Sequence, residues 1–285
     1  MADGFVWVEE TGHYADRFRA RGLAAECPAD LTDTPLRQPA LPGSLRYGFL
    51  SGSLLAVALE STPHRHYSRA PIVEAILDFK IPRLEDDKVL LLAEVRRLLA
   101  EDYPDEVAAD DDNDRLSNAF RSADGLRIIR PRLDGLAFSR LAPYDTWESF
   151  TDDARVAWAA YISVIRPTEL TGFITRYINQ LKIPFGVPLY RFFNVYPAMP
   201  DKDVLFDRMF LFTETTLVEP PGKLSVIMTP SDPVDETHFS MMLDNIFSFR
   251  VRDESVIWKN LDQIRKIKND TFNAQLTDEL KETLA

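Results

Sequence analysis

LRIIRPRLDGLAFSRL, residues 126–141, holds two apolar and basic runs on either side of Asp134-Gly135. Asp-Gly between two such runs signals a tight hairpin, because a type I′ turn needs positive φ at both central residues. Residues 126–132 and 136–141 therefore read as paired antiparallel strands. An antiparallel hairpin in mid-chain sets the question for the flanking segments: which of them join its sheet, and which cover it.

Upstream, PIVEAILDF (residues 71–79) alternates, with Val73, Ala75, Leu77 and Phe79 on one side and Glu74 and Asp78 on the other. That pattern predicts a strand with one buried face. Pro82 closes it, and Glu85, Asp86 and Asp87 supply the negative charge expected in the first turn of a helix. Val89, Leu92, Val95 and Leu99 then form an amphipathic stripe that Tyr103-Pro104 stops, and residues 110–114 read as an acidic solvated loop. Downstream of the hairpin, Asp145 or Thr146 can cap a second helix. Its stripe is Trp147, Phe150, Ala154, Trp158, Tyr161 and Ile165, and Pro167 ends it. FITRYINQLKI (residues 173–183) alternates again and reads as a strand. The order β-α-β-β-α-β predicts a split, ferredoxin-like first half over residues 67–184.

Residues 185–285 add strands at 205–218, 224–229 and 238–249. A helix follows from about Asp253, with a buried stripe of Ile257, Leu261 and Ile264, a bend at Asn269-Asp270 and a final short helix capped by Thr277. These strands extend the first sheet, since a strand needs a partner layer to bury its apolar face. The expected class is α+β: an antiparallel sheet with helices on one face, in a single body from residue 67 with no Gly/Ser linker. Residues 1–66 differ, with a short strand at Val6-Trp7-Val8, a short helix at 14–23 and a Pro-rich stretch at 28–42 that holds no regular structure. No methionine lies between Met1 and Met199, so two readings stand: a start placed upstream of the true one, or an N-terminal extension that packs on the body or contacts a partner.

Composition narrows the function classes. The chain of 285 residues is 45% hydrophobic and 27% charged, enough apolar material for a core. Its net charge of −12 repels phosphate backbones and sets nucleic-acid binding aside, and no RRM-type aromatic motif offsets it. Cys27 is the single cysteine, so no intrachain disulfide forms. The histidines His13, His64, His66 and His238 show no metal-ligand spacing, and neither a metal nor a cofactor is implied. No apolar run approaches the roughly 18 residues that cross a bilayer, so membrane insertion is not expected. The longest, residues 47–59, lies too deep for a signal peptide. A cytoplasmic location follows from this reading.

Arginine is the local anomaly. Arg121, Arg127, Arg130, Arg132 and Arg140 fall within 20 residues of an acidic chain, and Arg176 sits mid-strand beside the apolar Ile174 and Ile178. A half-buried guanidinium needs a carboxylate or an anionic ligand, and its planar fork suits bidentate oxyanions. Two readings remain open. Arg140 and Arg176, with Tyr177 and Asn179, line an anion pocket; or Arg176 pairs across the sheet with Glu74 or Asp78. Those two carboxylates are about 13 Å apart at roughly 3.3 Å per residue, too far for a glycosidase-type pair. Walker-type, dinucleotide-binding and nucleophile-elbow motifs are absent.

Four segments together carry a resemblance: Tyr67-x-x-Ala70-Pro71-Ile72-x-Glu74-Ala75; Gly135-Leu136-x-Phe138-Ser139-x-Leu141-x-Pro143-Tyr144-x-x-Trp147-x-x-Phe150; Arg176-Tyr177-Ile178-Asn179; and Asn269-x-x-Phe272 with Leu276-Thr277. Over residues 67 to about 281 the chain resembles a sporadically distributed bacterial family of uncharacterised proteins. The resemblance implies a bacterial or phage-related, cytoplasmic protein and brings no catalytic residues. With no catalytic constellation in the residues, the expected function is a non-enzymatic interaction or sensing protein, an accessory in stress or phage defence, working with another protein or a second copy of itself. The alternative is a binder of, or enzyme for, a phosphorylated or carboxylated small molecule.

Overall fold

The alternation at residues 71–79 builds the central strand of the sheet, β1 (Ile72–Lys80), whose Ala75, Leu77 and Phe79 are fully buried. The computed structural model describes residues 67–107, 118–197, 199–201, 206 and 209–285, all in one compact unit, Leu59–Ala285. The elements expected within residues 1–66, with Cys27 and His13, His64 and His66, and the loop expected at 110–114 lie outside the described residues.

After β1 a 3-10 turn leads into α1 (Val89–Leu99), followed by two three-residue strands, β2 (Asp105–Val107) and β3 (Ala119–Arg121). The hairpin is β4 (Arg127–Arg132) and β5 (Gly135–Leu141); α2 (Trp147–Ile165) and β6 (Gly172–Pro184) follow. Then come β7 (Leu211–Leu217), β8 (Gly222–Asp235), β9 (His238–Phe249), α3 (Glu254–Gln275) and α4 (Asp278–Leu284). The fold is α+β, with one nine-stranded sheet in the order β2-β3-β4-β5-β1-β6-β9-β8-β7, every neighbouring pair antiparallel.

One face of this sheet meets the helices. Phe79 stacks on Trp158 of α2 at 4.6 Å and lies 5.6 Å from Trp258 of α3; Phe138 of β5 meets Phe150 of α2 at 5.7 Å. On β3, Phe120 is covered by Arg96 of α1, its guanidinium carbon 3.8 Å from the ring centre. Each such aromatic contributes roughly 2 kcal/mol by leaving water. The caps foreseen at Thr146 and Thr277 form: Thr146 Oγ1 accepts from the Ser149 amide at 3.1 Å, and Thr277 Oγ1 from the Leu280 amide at 3.4 Å. Asp253 does the same for α3, accepting from Ser255 at 2.8 Å.

Four details differ from expectation. Short edge strands β2 and β3 extend the hairpin side, because three residues are too few to show a period. β8 runs to Asp235, well past the expected residue 229. α3 passes unbroken through Asn269-Asp270, where Asp270 pairs with Lys266 one turn earlier. The hairpin turns on Leu133-Asp134, with Arg132 opposite Gly135, so Asp134-Gly135 is not a type I′ turn. Gly135 opens β5 at φ 147°, and a Cβ there would sit 1.9 Å from the Phe79 carbonyl oxygen. The glycine serves the close approach of β5 to β1.

Candidate functional site

Strand parity decides which candidate residues meet. Arg140 is opposite Ala75, and Ala75 is opposite Tyr177, which is opposite Asn245. That row points to the helices. Arg176 is opposite Ile76 and Ile246, one residue out of phase, and points away from them. Arg140 and Arg176 therefore lie on opposite faces, and the pocket expected to hold both does not form. Tyr177 and Asn179 share the face of Arg140.

Arg176 is held by Asp244 of β9, with Nε and Nη2 reaching the carboxylate at 3.0 and 2.7 Å. The carboxylate that meets it across the sheet thus comes from the strand on the far side of β6 from Glu74 and Asp78. Glu74 sits in the row of Leu141 and Ile178. Asp78 lies against Arg132 at 2.5 Å and Lys80 at 3.2 Å.

The hairpin arginines also divide by parity. Arg127 and Arg140 face α2 and share one carboxylate, Asp153, at 3.5 and 3.7 Å. Arg132, on the other face, is clamped by Asp78 and Asp134. Arg121 and Arg130 share that face, and each has a buried Nε without a hydrogen-bond partner among the described residues.

A site that the sequence reading missed lies on the helix face. Lys268 of α3 places Nζ 4.6 Å from the ring centre of Tyr177 and 5.7 Å from that of Trp147. Burial, reinforced by Arg265, pushes its ammonium down to about pKa 8. Tyr177 is 2% exposed, and its hydroxyl and that of Tyr144 are buried with no hydrogen-bond partner among the described residues. Burial raises both phenols; Tyr144 adds to the rise at Tyr177, which places the two groups close together, and the Thr175 hydroxyl beside Tyr177 on β6 opposes that rise. The carboxylate of Glu148 is taken up by Arg265 at 2.6 Å. A signal existed: Lys268 continues the stripe Ile257, Leu261, Ile264 by one further step of four residues. A lysine at an apolar phase is easily read as the end of the stripe.

Asn179 spends its amide on backbone, donating to the carbonyls of Tyr177 and Leu243 at 3.3 and 3.1 Å. Beside it Asn245 and Gln275 exchange two amide hydrogen bonds of 3.0 and 2.8 Å, tying β9 to the end of α3. Among the described residues no three His, Cys, Asp or Glu are grouped to hold a metal ion, and no helix is long and apolar enough to cross a membrane. No protein-family model matches the chain, and no curated protein matches it.

Proposed function

We propose that this is a non-enzymatic interaction protein that docks a partner chain on the helix-free face of its sheet. The observation that carries the reading is the composition of that face. Ile76, Ile178 and Ile246, on the neighbouring strands β1, β6 and β9, are only half-buried there and surround the Arg176–Asp244 pair; Ile128 of β4 lies half-buried in the same row beyond β5, and no helix among the described residues covers them. A half-exposed apolar patch with a charged centre resembles the core of an interface in composition. The first half supports a ferredoxin-like reading, since β6-β1-β5-β4 is the order of a split β-α-β-β-α-β unit, with β2 and β3 added at one edge. The resemblance to a sporadically distributed bacterial family supports a cytoplasmic accessory role, with stress or phage defence as its setting.

Photo-crosslinking in the native host tests this. A crosslinking amino acid at position 178 is expected to trap one defined protein, another chain or a second copy, and Ile76→Arg to remove that adduct while Trp158 fluorescence stays native. Adducts that form only from helix-face positions, or that survive Ile76→Arg unchanged, overturn the proposal.

A further inference from the structure

We propose that Lys268, Tyr177 and Tyr144 form a binding site for a small oxyanion, a carboxylate or a phosphate, where β6, the start of α2 and α3 meet. The hydrogen-bond inventory carries it. An ammonium offers three donors and each phenol one, while two of the nearby carboxylates are spent and Thr175, beside the Tyr177 hydroxyl, offers only a neutral oxygen. Glu148 is held by Arg265, and Asp153 by Arg127 and Arg140. Lys268 has aromatic faces beneath it, and a cation over a ring recovers about 1–2 kcal/mol, less than the cost of withdrawing the ammonium from water.

Two further cations act on this place as well. Arg265 lies close enough to lower Lys268, and Arg265 and Arg140 both act on Tyr144, against Glu148 and Asp145. Trp147, Phe150 and Tyr177 wall the site with aromatic rings. In such low-dielectric surroundings an oxyanion meeting Nζ and the two hydroxyls gains more from each charge-assisted bond than it would in water. Carboxylate and phosphate present the same acceptors, and the donor set accepts either. This site lies on the opposite face of the sheet from the proposed docking surface, so each stands or falls alone.

The test is NMR on the full chain with ¹³C-labelled lysine, the Lys268 ε-carbon assigned through Lys268→Arg. Sodium acetate and inorganic phosphate are titrated separately, with ionic strength held constant by chloride. The expected result is a saturable shift of the Lys268 signal and a rise in its pKa with one or both anions. Acetate alone marks a carboxylate site, and phosphate alone a phosphate site. Tyr177→Phe and Tyr144→Phe each weaken the apparent Kd about 10-fold, the loss of one hydrogen bond to a charged group. A Lys268 signal and pKa that respond to neither anion, or respond to chloride as they do to both, overturn the proposal. The wild-type titration decides even if a tyrosine variant fails to fold.

Discussion

Arg176 and Asp244 close a two-point ion pair across the boundary between β6 and β9, with Nε and Nη2 of the arginine on one carboxylate. They are diagonal neighbours: Arg176 is opposite Ile246, and Asp244 opposite Ile178. Asp244 is 3% exposed at its side chain against 25% for Arg176, so the arginine is the member that reaches solvent. Removing the guanidinium takes a two-point partner from a nearly buried carboxylate, and Arg176→Ala is expected to cost about 3–4 kcal/mol. Replacing both members with apolar residues, Arg176→Met with Asp244→Leu, is expected to recover most of that loss. Urea denaturation measures both. A loss under about 1 kcal/mol in the single variant contradicts a structural role.

Lys268 leads to the opposite expectation, a substitution that stabilises. A fall from the ordinary 10.5 to about 8 corresponds to about 3 kcal/mol against the charged form. Partial exposure of the residue discounts this to ~2 kcal/mol, and the lost cation–π contact takes back ~1 kcal/mol. Lys268→Met is thus expected to stabilise by about 1 kcal/mol at neutral pH. Because the folded pKa is depressed, the penalty is complete below 8, where both states are protonated, and is relieved as pH climbs from 8 toward 10.5. The advantage of the Met variant therefore fades across that window, which paired denaturation curves at neutral and alkaline pH will show. An advantage that persists unchanged at high pH refutes the account.

Periodic signals were legible and long-range register was not. The alternation of Ala75, Leu77 and Phe79 and the stripe from Trp147 to Ile165 each lie within one element, where local spacing alone determines which side is buried. The caps at Thr146 and Thr277 are equally local. Whether Arg140 and Arg176 meet depends on the pairing of β5 and β6 with β1, where a slip of one residue exchanges the faces. No local pattern contains that information. Lys268 escaped notice because its environment is built by Tyr177, about ninety residues earlier, and by Trp147, earlier still. Tyr177 was named as a site residue for its neighbour Arg176, whereas the group it meets is Lys268 on the other side of the sheet.

Gly135 separates two roles that a glycine can have. Its missing Cβ makes room for the Phe79 carbonyl, whereas Gly125, at φ 75°, has nothing within 4 Å of the place a Cβ would take. Gly125→Ala is expected to cost about 1 kcal/mol for the left-handed backbone alone. Gly135→Ala must also push β5 from β1 and is expected to cost about 3 kcal/mol or more. Thermal unfolding of the two variants side by side checks this. Equal losses rule out the close-approach explanation.

The Trp158–Glu254 contact joins the middle of α2 to the first turn of α3, where Nε1 donates to Oε2 at 2.6 Å. The same indole stacks on Phe79 at 4.6 Å and on Tyr161 at 5.4 Å, so one side chain links both helices to the central strand. Its packing and its polar bond can be separated by substitution. Trp158→Ala loses both and opens a cavity, for an expected cost of about 4 kcal/mol. Glu254→Gln keeps an acceptor at the same place and is expected to cost under about 1 kcal/mol, since the bond loses only its charge. In a double-mutant cycle of Trp158→Phe with Glu254→Ala, the coupling isolates the bond, expected at about 1–2 kcal/mol in favour of the pair. A coupling near zero would mean that ring packing alone positions α3 against α2. The hydrogen bond would then follow from the helix arrangement without contributing to it.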